Sequence, residues 1–272
     1  MKLATIFSFI TTGSASCMRG TTLHRRAVDG TVTISSYNYT NLGGPLTWYG
    51  LDADSNSLCA QGKNQSPINI ESDTVSYVTP DSIEFSIPPV DGVRFENLGT
   101  GLEVVLANGT FVAKNQSYAL AQFHFHTPSE HRLNEEYFPI EVHFVFENSA
   151  GNIAVVGFLF QLSEHGYSIP VFDSIFNKVD DISTAGSFTK IGPLDFSDIP
   201  TYLYKHDIYQ YSGSLTTPPC LEGITWFVSA EPLPLTVQSY NKLKKVLRFN
   251  ARYTQNAPGQ VNLLEVAAKQ LG

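Results

Sequence analysis

Four of the chain's seven histidines lie within twenty residues, at positions 124, 126, 131 and 143. His124 and His126 stand two apart in the run Gln122-Phe123-His124-Phe125-His126. Its alternation predicts a strand, so both imidazoles leave one face while Phe123 and Phe125 enter apolar packing on the other. His143 sits in Glu141-Val142-His143, on the next predicted strand. If the two strands pair antiparallel, three imidazoles converge. Three histidines with an open fourth position is the arrangement of a catalytic zinc ion, whereas a structural site is closed by a fourth protein ligand. Gln122 and Glu141 each precede a histidine by two residues on the same face. They are placed to take the second ring N–H of a metal-bound imidazole and so fix its tautomer. Zn2+ is therefore the cofactor this spacing points to. A set of hydrogen-bonded histidines on a polar face is the competing reading of the spacing.

The elements that must carry these residues read as strands. Residues 119–126 alternate, residues 138–147 include Ile-Glu-Val-His-Phe-Val-Phe, and residues 153–162 are almost wholly apolar, as a central strand would be. Residues 224–229 form a further candidate. Residues 102–106 and 110–114 flank Asn108-Gly109, which predicts a two-residue hairpin turn. Helical patterns are fewer: about 168–178, 234–247 and the last ten residues. No repeat and no linker-like stretch interrupts the chain after Trp48. The expected fold is mostly β (α+β): one domain, residues 44–272, with a large, mainly antiparallel, twisted central sheet and a few peripheral helices.

Bulk properties agree with a folded, soluble domain. Of 272 residues, 42% are hydrophobic and only 15% charged, which excludes disorder. Thirteen Tyr and eighteen Phe favour strands. The net charge of −8, with no basic run beyond Lys244-Lys245, argues against nucleic-acid binding. Lys2, the apolar run Leu3 to Ile10 and the small residues Gly13-Ser14-Ala15-Ser16 predict a secretory signal peptide over 1–16. The run is too short to span a membrane. Residues 17–43 read as a pro-segment, with Arg25-Arg26 as a candidate dibasic cut, followed by an extended arm. Secretion leaves Cys59 and Cys220 as an even pair, free to form a disulfide in an oxidising compartment. Asn-x-Ser/Thr sequons begin at Asn38, Asn64, Asn108 and Asn115. Asn64 is the poorest glycosylation candidate, because Pro67 follows its Ser66 directly.

Several motifs together resemble one family. These are Gln122 to His126, then Pro128-Ser129-Glu130-His131 and Glu141-Val142-His143. To them are added Gln65-Ser66-Pro67-Ile68-Asn69-Ile70 and Ser214-Leu215-Thr216-Thr217-Pro218-Pro219, with Glu222 and Trp226 following. From Trp48 to about Arg252 the chain resembles the alpha-class carbonic anhydrases, in their secreted microbial form. The resemblance implies zinc on His124, His126 and His143. It implies Gln122, Glu141 and the main-chain carbonyl of Asn250 as the groups orienting those three rings. It implies that Thr216 accepts a hydrogen bond from the attacking hydroxide and passes its own proton to Glu130. Val145, Val155, Leu215, Ile224 and Trp226 would form the apolar wall that receives carbon dioxide, with Thr217 beside it. Tyr211 and His131 would be buried supports, and Cys59 and Cys220 would be bonded. The partners implied are carbon dioxide and bicarbonate. The oligomeric state stays open, a homodimer included.

Two departures from the family pattern stand out. Fast members carry a proton-relaying histidine after an Asn-Asn-Gly segment; here the stretch is Asn97-Leu98-Gly99-Thr100-Gly101, with Thr100 in the relay place. Threonine does not titrate near pH 7. Around Trp48-Tyr49-Gly50 the expected aromatic hydroxyl is missing, Gly50 falling in its place. The alternatives weighed are a catalytically inactive binding or adhesion module on the same fold, and a zinc esterase. The first typically lacks a zinc-binding histidine, and all are present here. The second has no Gly-x-Ser-x-Gly or His-Glu-x-x-His motif to support it.

Overall fold

The strand Gln116–His126 organises the molecule, because three others pair along it. The computed structural model describes residues 32–73 and 75–271. The expected signal peptide, Cys17, His24 and Arg25-Arg26 lie outside those residues. Strand Ile140–Glu147 runs antiparallel to Gln116–His126 along one edge. On the other edge, Leu102–Val105 and Thr110–Ala113 both pair with it, one after the other.

That arrangement corrects the hairpin expected at Asn108-Gly109. The two flanking strands exist, but they pair with the same long strand and not with each other. The tight turn is instead at Lys114-Asn115, with φ of 50° and 59°, closing Thr110–Ala113 onto the long strand. A left-handed pair is what a two-residue hairpin needs. Here it is adopted without glycine, so the residue types did not advertise it.

Among the described residues the sheet has twelve strands. From the long strand it continues through Ile140–Glu147, Ile153–Leu162, Glu222–Ser229 and Ile208–Ser214 to Ser76–Val78, and on the other side to Val93–Asn97 and Phe188–Ile191. Pairing is mainly antiparallel. Ile153–Leu162 is the exception, running parallel to both Glu222–Ser229 and Leu233–Leu235. Helices Pro170–Phe176, Val237–Leu247 and Leu263–Leu271 fall where the sequence pattern placed them, and Asp198–Leu203 and two short helices near Trp48 add to them.

The sheet separates two apolar clusters. On one face Phe123, Phe125, Val142, Phe144, Val156 and Phe158 join the large core under the helices. On the other, Val145, Val155, Ile224 and Trp226 form a smaller cluster. The central strands are apolar on both faces, which is why periodicity showed only a continuous run.

A bulge decides which face the histidines occupy. Pairing passes from Leu120↔Phe146 directly to Gln122↔Val145, leaving Ala121 without a register partner. Before the bulge the even residues Tyr118 and Leu120 face the large core; after it the odd residues Phe123 and Phe125 do. The extra residue thus turns Gln122, His124 and His126 to the opposite face. It also sets His124 directly across from His143.

Residues 32–43 are packed onto the domain. Val32 and Tyr37 are buried, Ser35 N–H donates to Leu98 O (3.1 Å), and Tyr37 and Tyr39 meet Trp48 edge-on at 5.4 and 5.6 Å. Cys59 and Cys220 are bonded, closing a separation of 161 residues, and lie in the same cluster as Tyr37 and Trp48.

Candidate metal centre

His124, His126 and His143 bring one ring nitrogen each to within 4.8 Å of one another. The far nitrogen of each ring is engaged. His124 Nδ1 lies 2.9 Å from Gln122 Oε1, His126 Nδ1 lies 2.8 Å from the Asn250 carbonyl, and His143 Nε2 lies 2.8 Å from Glu141 Oε1. Each acceptor is an oxygen, so each of those nitrogens carries the proton and donates. The opposite nitrogens are left as lone pairs aimed into one space. His126 Nε2 is buried and has no hydrogen-bond partner there.

Burial keeps these rings neutral. It pushes His126 down to about 4, holds His124 well below the usual imidazole range and lowers His143. Neutral imidazole is the form that binds a metal. Cys59 and Cys220 are tied in a disulfide, so neither offers a competing thiolate. A neutral, all-nitrogen donor set of three, two of them buried and His124 half-buried, suits zinc with one position left for water.

The supports are held in turn. Asn250 Oδ1 accepts the Thr127 N–H (2.8 Å) and its Nδ2 donates to Phe125 O (2.8 Å), so its carbonyl is fixed under His126. Glu141 Oε2 accepts the N–H groups of Glu130 and His131, both at 2.8 Å, while Oε1 takes His131 Nδ1 at 2.6 Å as well as His143. Desolvation pushes Glu141 up, but His131 and His143 outweigh it and hold its carboxyl well below the usual range. Behind it, His131 Nε2 meets the Tyr211 hydroxyl (2.6 Å), which meets Ser66 Oγ (2.8 Å). Gly213 is required here. A Cβ would come 2.2 Å from Ser66 Oγ.

Glu130 stands next to the histidines, with Oε2 3.5 Å from His126 Nε2 and 3.9 Å from His143 Nδ1. Its Oε1 accepts the Arg252 N–H (2.8 Å). Burial raises its carboxyl to about 7, opposed by His143, that N–H and the Thr216 hydroxyl.

The histidines open into a cavity at the surface of the sheet. Val145, Val155, Leu215 and Trp226 line one side, and Thr216, Thr217, Thr100, Gln122 and Asn250 also line it. The apolar residues form a row across three strands, since Val155 pairs with both Val145 and Trp226. Ile224 belongs to the same apolar cluster behind them. Tyr37, Tyr39, Leu98, Gly101 and Glu103 complete the lining, and the two tyrosines were not among the residues singled out from sequence. The two tyrosines correct the expectation drawn from Gly50. Aromatic hydroxyls are supplied by the arm, while Trp48 is buried beneath them and Tyr49 is 40% exposed. No chemical motif marks either tyrosine. Their only signal is a Tyr-x-Tyr in an extended segment.

Comparison with known proteins agrees with this geometry. A family model described as eukaryotic-type carbonic anhydrase matches residues 44–263. The solved fungal alpha carbonic anhydrase from Aspergillus oryzae is 58% identical, with a TM-score of 0.84 over 86% of this chain and 99% of that one. The alpha-carbonic anhydrase of Thermovibrio ammonificans, solved with sulfanilamide, is 31% identical, with a TM-score of 0.73 over 83% of this chain and 97% of that one. A carbonic anhydrase of Pectobacterium atrosepticum is 32% identical, covering 83% of this chain and 89% of the relative. With that match spanning most of its length, the chain belongs to the alpha-class, eukaryotic-type carbonic anhydrase family of enzymes.

Proposed function

We propose that this enzyme catalyses the reversible hydration of carbon dioxide to bicarbonate and a proton at a zinc ion held by His124, His126 and His143. The observation that carries the reading is the tautomer pattern: three neutral rings, each anchored by its far nitrogen, with lone pairs facing one point. Zinc bound there would bring the pKa of a coordinated water near 7 and so supply hydroxide at neutral pH.

The chain's own residues supply orientation and selection. Gln122, Glu141 and the Asn250 carbonyl lock the ring planes. Thr216 lines the cavity and donates toward Glu130, which leaves the Thr216 oxygen free only to accept. An acceptor in that position favours a group bearing a proton and aims its remaining lone pairs at the substrate. Val145, Val155, Leu215 and Trp226 offer carbon dioxide an apolar bed, which costs a nonpolar molecule no hydrogen bonds on entering. Thr217, next to Thr216 on the cavity lining, is placed to meet the charged product. Attack on activated esters would be a side reaction of the same site. The disulfide suits a protein outside the cytoplasm. In that setting the exposed Asn38, Asn108 and Asn115 are acceptors for N-linked glycan.

The test is a stopped-flow hydration assay on zinc-loaded protein, then after chelation, then after zinc is returned. Activity should vanish and recover with the metal. Zinc-loaded protein with no rate above the uncatalysed one would overturn the reading in favour of an inert module on the same fold.

A further inference from the structure

Each turnover of the proposed reaction converts one carbon dioxide and one water into one bicarbonate and one proton, and that proton must leave a largely buried cavity. The histidines lining the cavity are the three proposed ligands. What the lining does contain is hydroxyls. Thr217, Tyr37 and Thr100 all face it. The Tyr37 hydroxyl has Thr100, Thr217 and Ser35 as hydrogen-bonding neighbours. Thr100 Oγ1 donates to Ser35 Oγ at 2.8 Å. Ser35 is half-exposed on the arm, whereas Tyr37 is 9% exposed. These groups therefore run from the loop after Thr216, through the cavity wall, to the surface.

Their positions are fixed from behind. Trp48 packs on Tyr37, and its indole N–H donates to the carbonyls of Asn38 and Gly43, both at 3.0 Å. Ser35 is pinned by its N–H to Leu98 O. A hydroxyl can accept a proton on a lone pair while releasing its own on the other side, so a run of them passes a proton and ends unchanged.

We propose that the hydroxyls of Thr217, Tyr37, Thr100 and Ser35 form the exit path for the proton, with Tyr37 the relay residue at its centre. This rests on the hydration reading above. The arm is thereby part of the catalytic unit. The path would be slower than one through a group with pKa near 7, which accepts and releases a proton at little cost. Export should therefore limit turnover in the native enzyme, and small imidazole buffers should raise its kcat. Thr100→His should do the same at low buffer.

Tyr37→Phe removes one oxygen and keeps the ring packed on Trp48. In stopped-flow hydration at low buffer, kcat should fall about tenfold, at or below the low end of what positioned proton transfer supplies. kcat/KM, which reports the steps up to bicarbonate release, should stay within about twofold. Saturating imidazole should bring the variant level with the native enzyme, and zinc content should be unchanged. Thr100→Val should reproduce the split independently. An unchanged kcat in both variants overturns the proposal. So does a parallel fall in kcat and kcat/KM that imidazole does not rescue. Loss confined to Glu103→Gln, the buried carboxylate on the lining, would route the proton elsewhere and overturn it too. Native zinc-loaded protein that hydrates nothing would instead sink the function itself.

Discussion

The two walls of the cavity are made from different kinds of chain. The apolar wall, Val145, Val155 and Trp226, comes from three neighbouring strands locked in register inside the sheet. The hydroxyl wall, Tyr37, Tyr39, Thr100 and Thr217, comes from an N-terminal arm, a turn and a loop brought together from far apart in sequence. The first is stiff because each of its three strands is paired along both edges within the sheet. The second is held by a few side-chain bonds, an aromatic cluster and the disulfide beneath it. The difference suggests a division of labour, with substrate held by the rigid wall and protons moved along the wall of adaptable hydroxyls.

The largest effect should come from the seam between the walls. His126→Ala should abolish both zinc binding and hydration, read by metal analysis and stopped flow; active protein without zinc would contradict the assignment. Acid should act at the same place. Burial depresses the His126 pKa from 6.5 to about 4, so the stability tied to its neutral form is present above pH 6.5 and lost as pH falls through about 4. Unfolding of the zinc-free protein should show stability falling as pH drops from 6.5 to about 4, and a stability that is flat across that window would argue against a buried neutral His126.

Next comes the disulfide. For a separation of 161 residues the chain-entropy model gives ~5 kcal/mol. Mature protein lacking the segment that carries Cys17 should show no free thiol, and reduction should lower Tm. Because the bond lies under Tyr37 and Trp48, reduction should also cost kcat more than kcat/KM. Two reactive thiols in unreduced protein would contradict the bond.

Thr216→Ala should cut the hydration rate roughly 10²-fold with zinc retained, the scale of losing one aligned hydrogen-bonding group at the reacting centre. An unchanged rate would remove Thr216 from the mechanism. The smallest effect sharpens the comparison most. Val145→Thr puts a hydroxyl into the apolar wall at nearly equal volume. It should lower kcat/KM by about tenfold, the scale of an unmatched buried hydroxyl, and leave kcat nearly alone. Tyr37→Phe should do the reverse. If both variants move the same constant, the walls do not divide the work.

The histidine set was legible from its spacing, whereas the residues of the rigid wall were named by the family resemblance and by no local pattern. His-Phe-His and Glu-x-His declare a strand face bearing donors, and the apolar run 153–162 declares a central strand. These are properties of neighbours in sequence, where a period of two fixes direction. The Asn108-Gly109 hairpin failed because a good turn dipeptide says nothing about which strands lie beside it. Long-range pairing overruled it.

By itself, then, the sequence pointed to the three candidate ligand histidines, two supports two positions upstream, the β-rich class and, with Cys17 set aside, an even cysteine pair. Only the tertiary structure decided the rest. The bulge at Ala121 chose the face and register that put His124 opposite His143, since a single added residue reverses every side chain beyond it. The packing of the arm on Trp48 decided that Tyr37 and Tyr39 enter the cavity. No local pattern encodes that contact, because its stability comes from burying those rings against residues that follow them on another element.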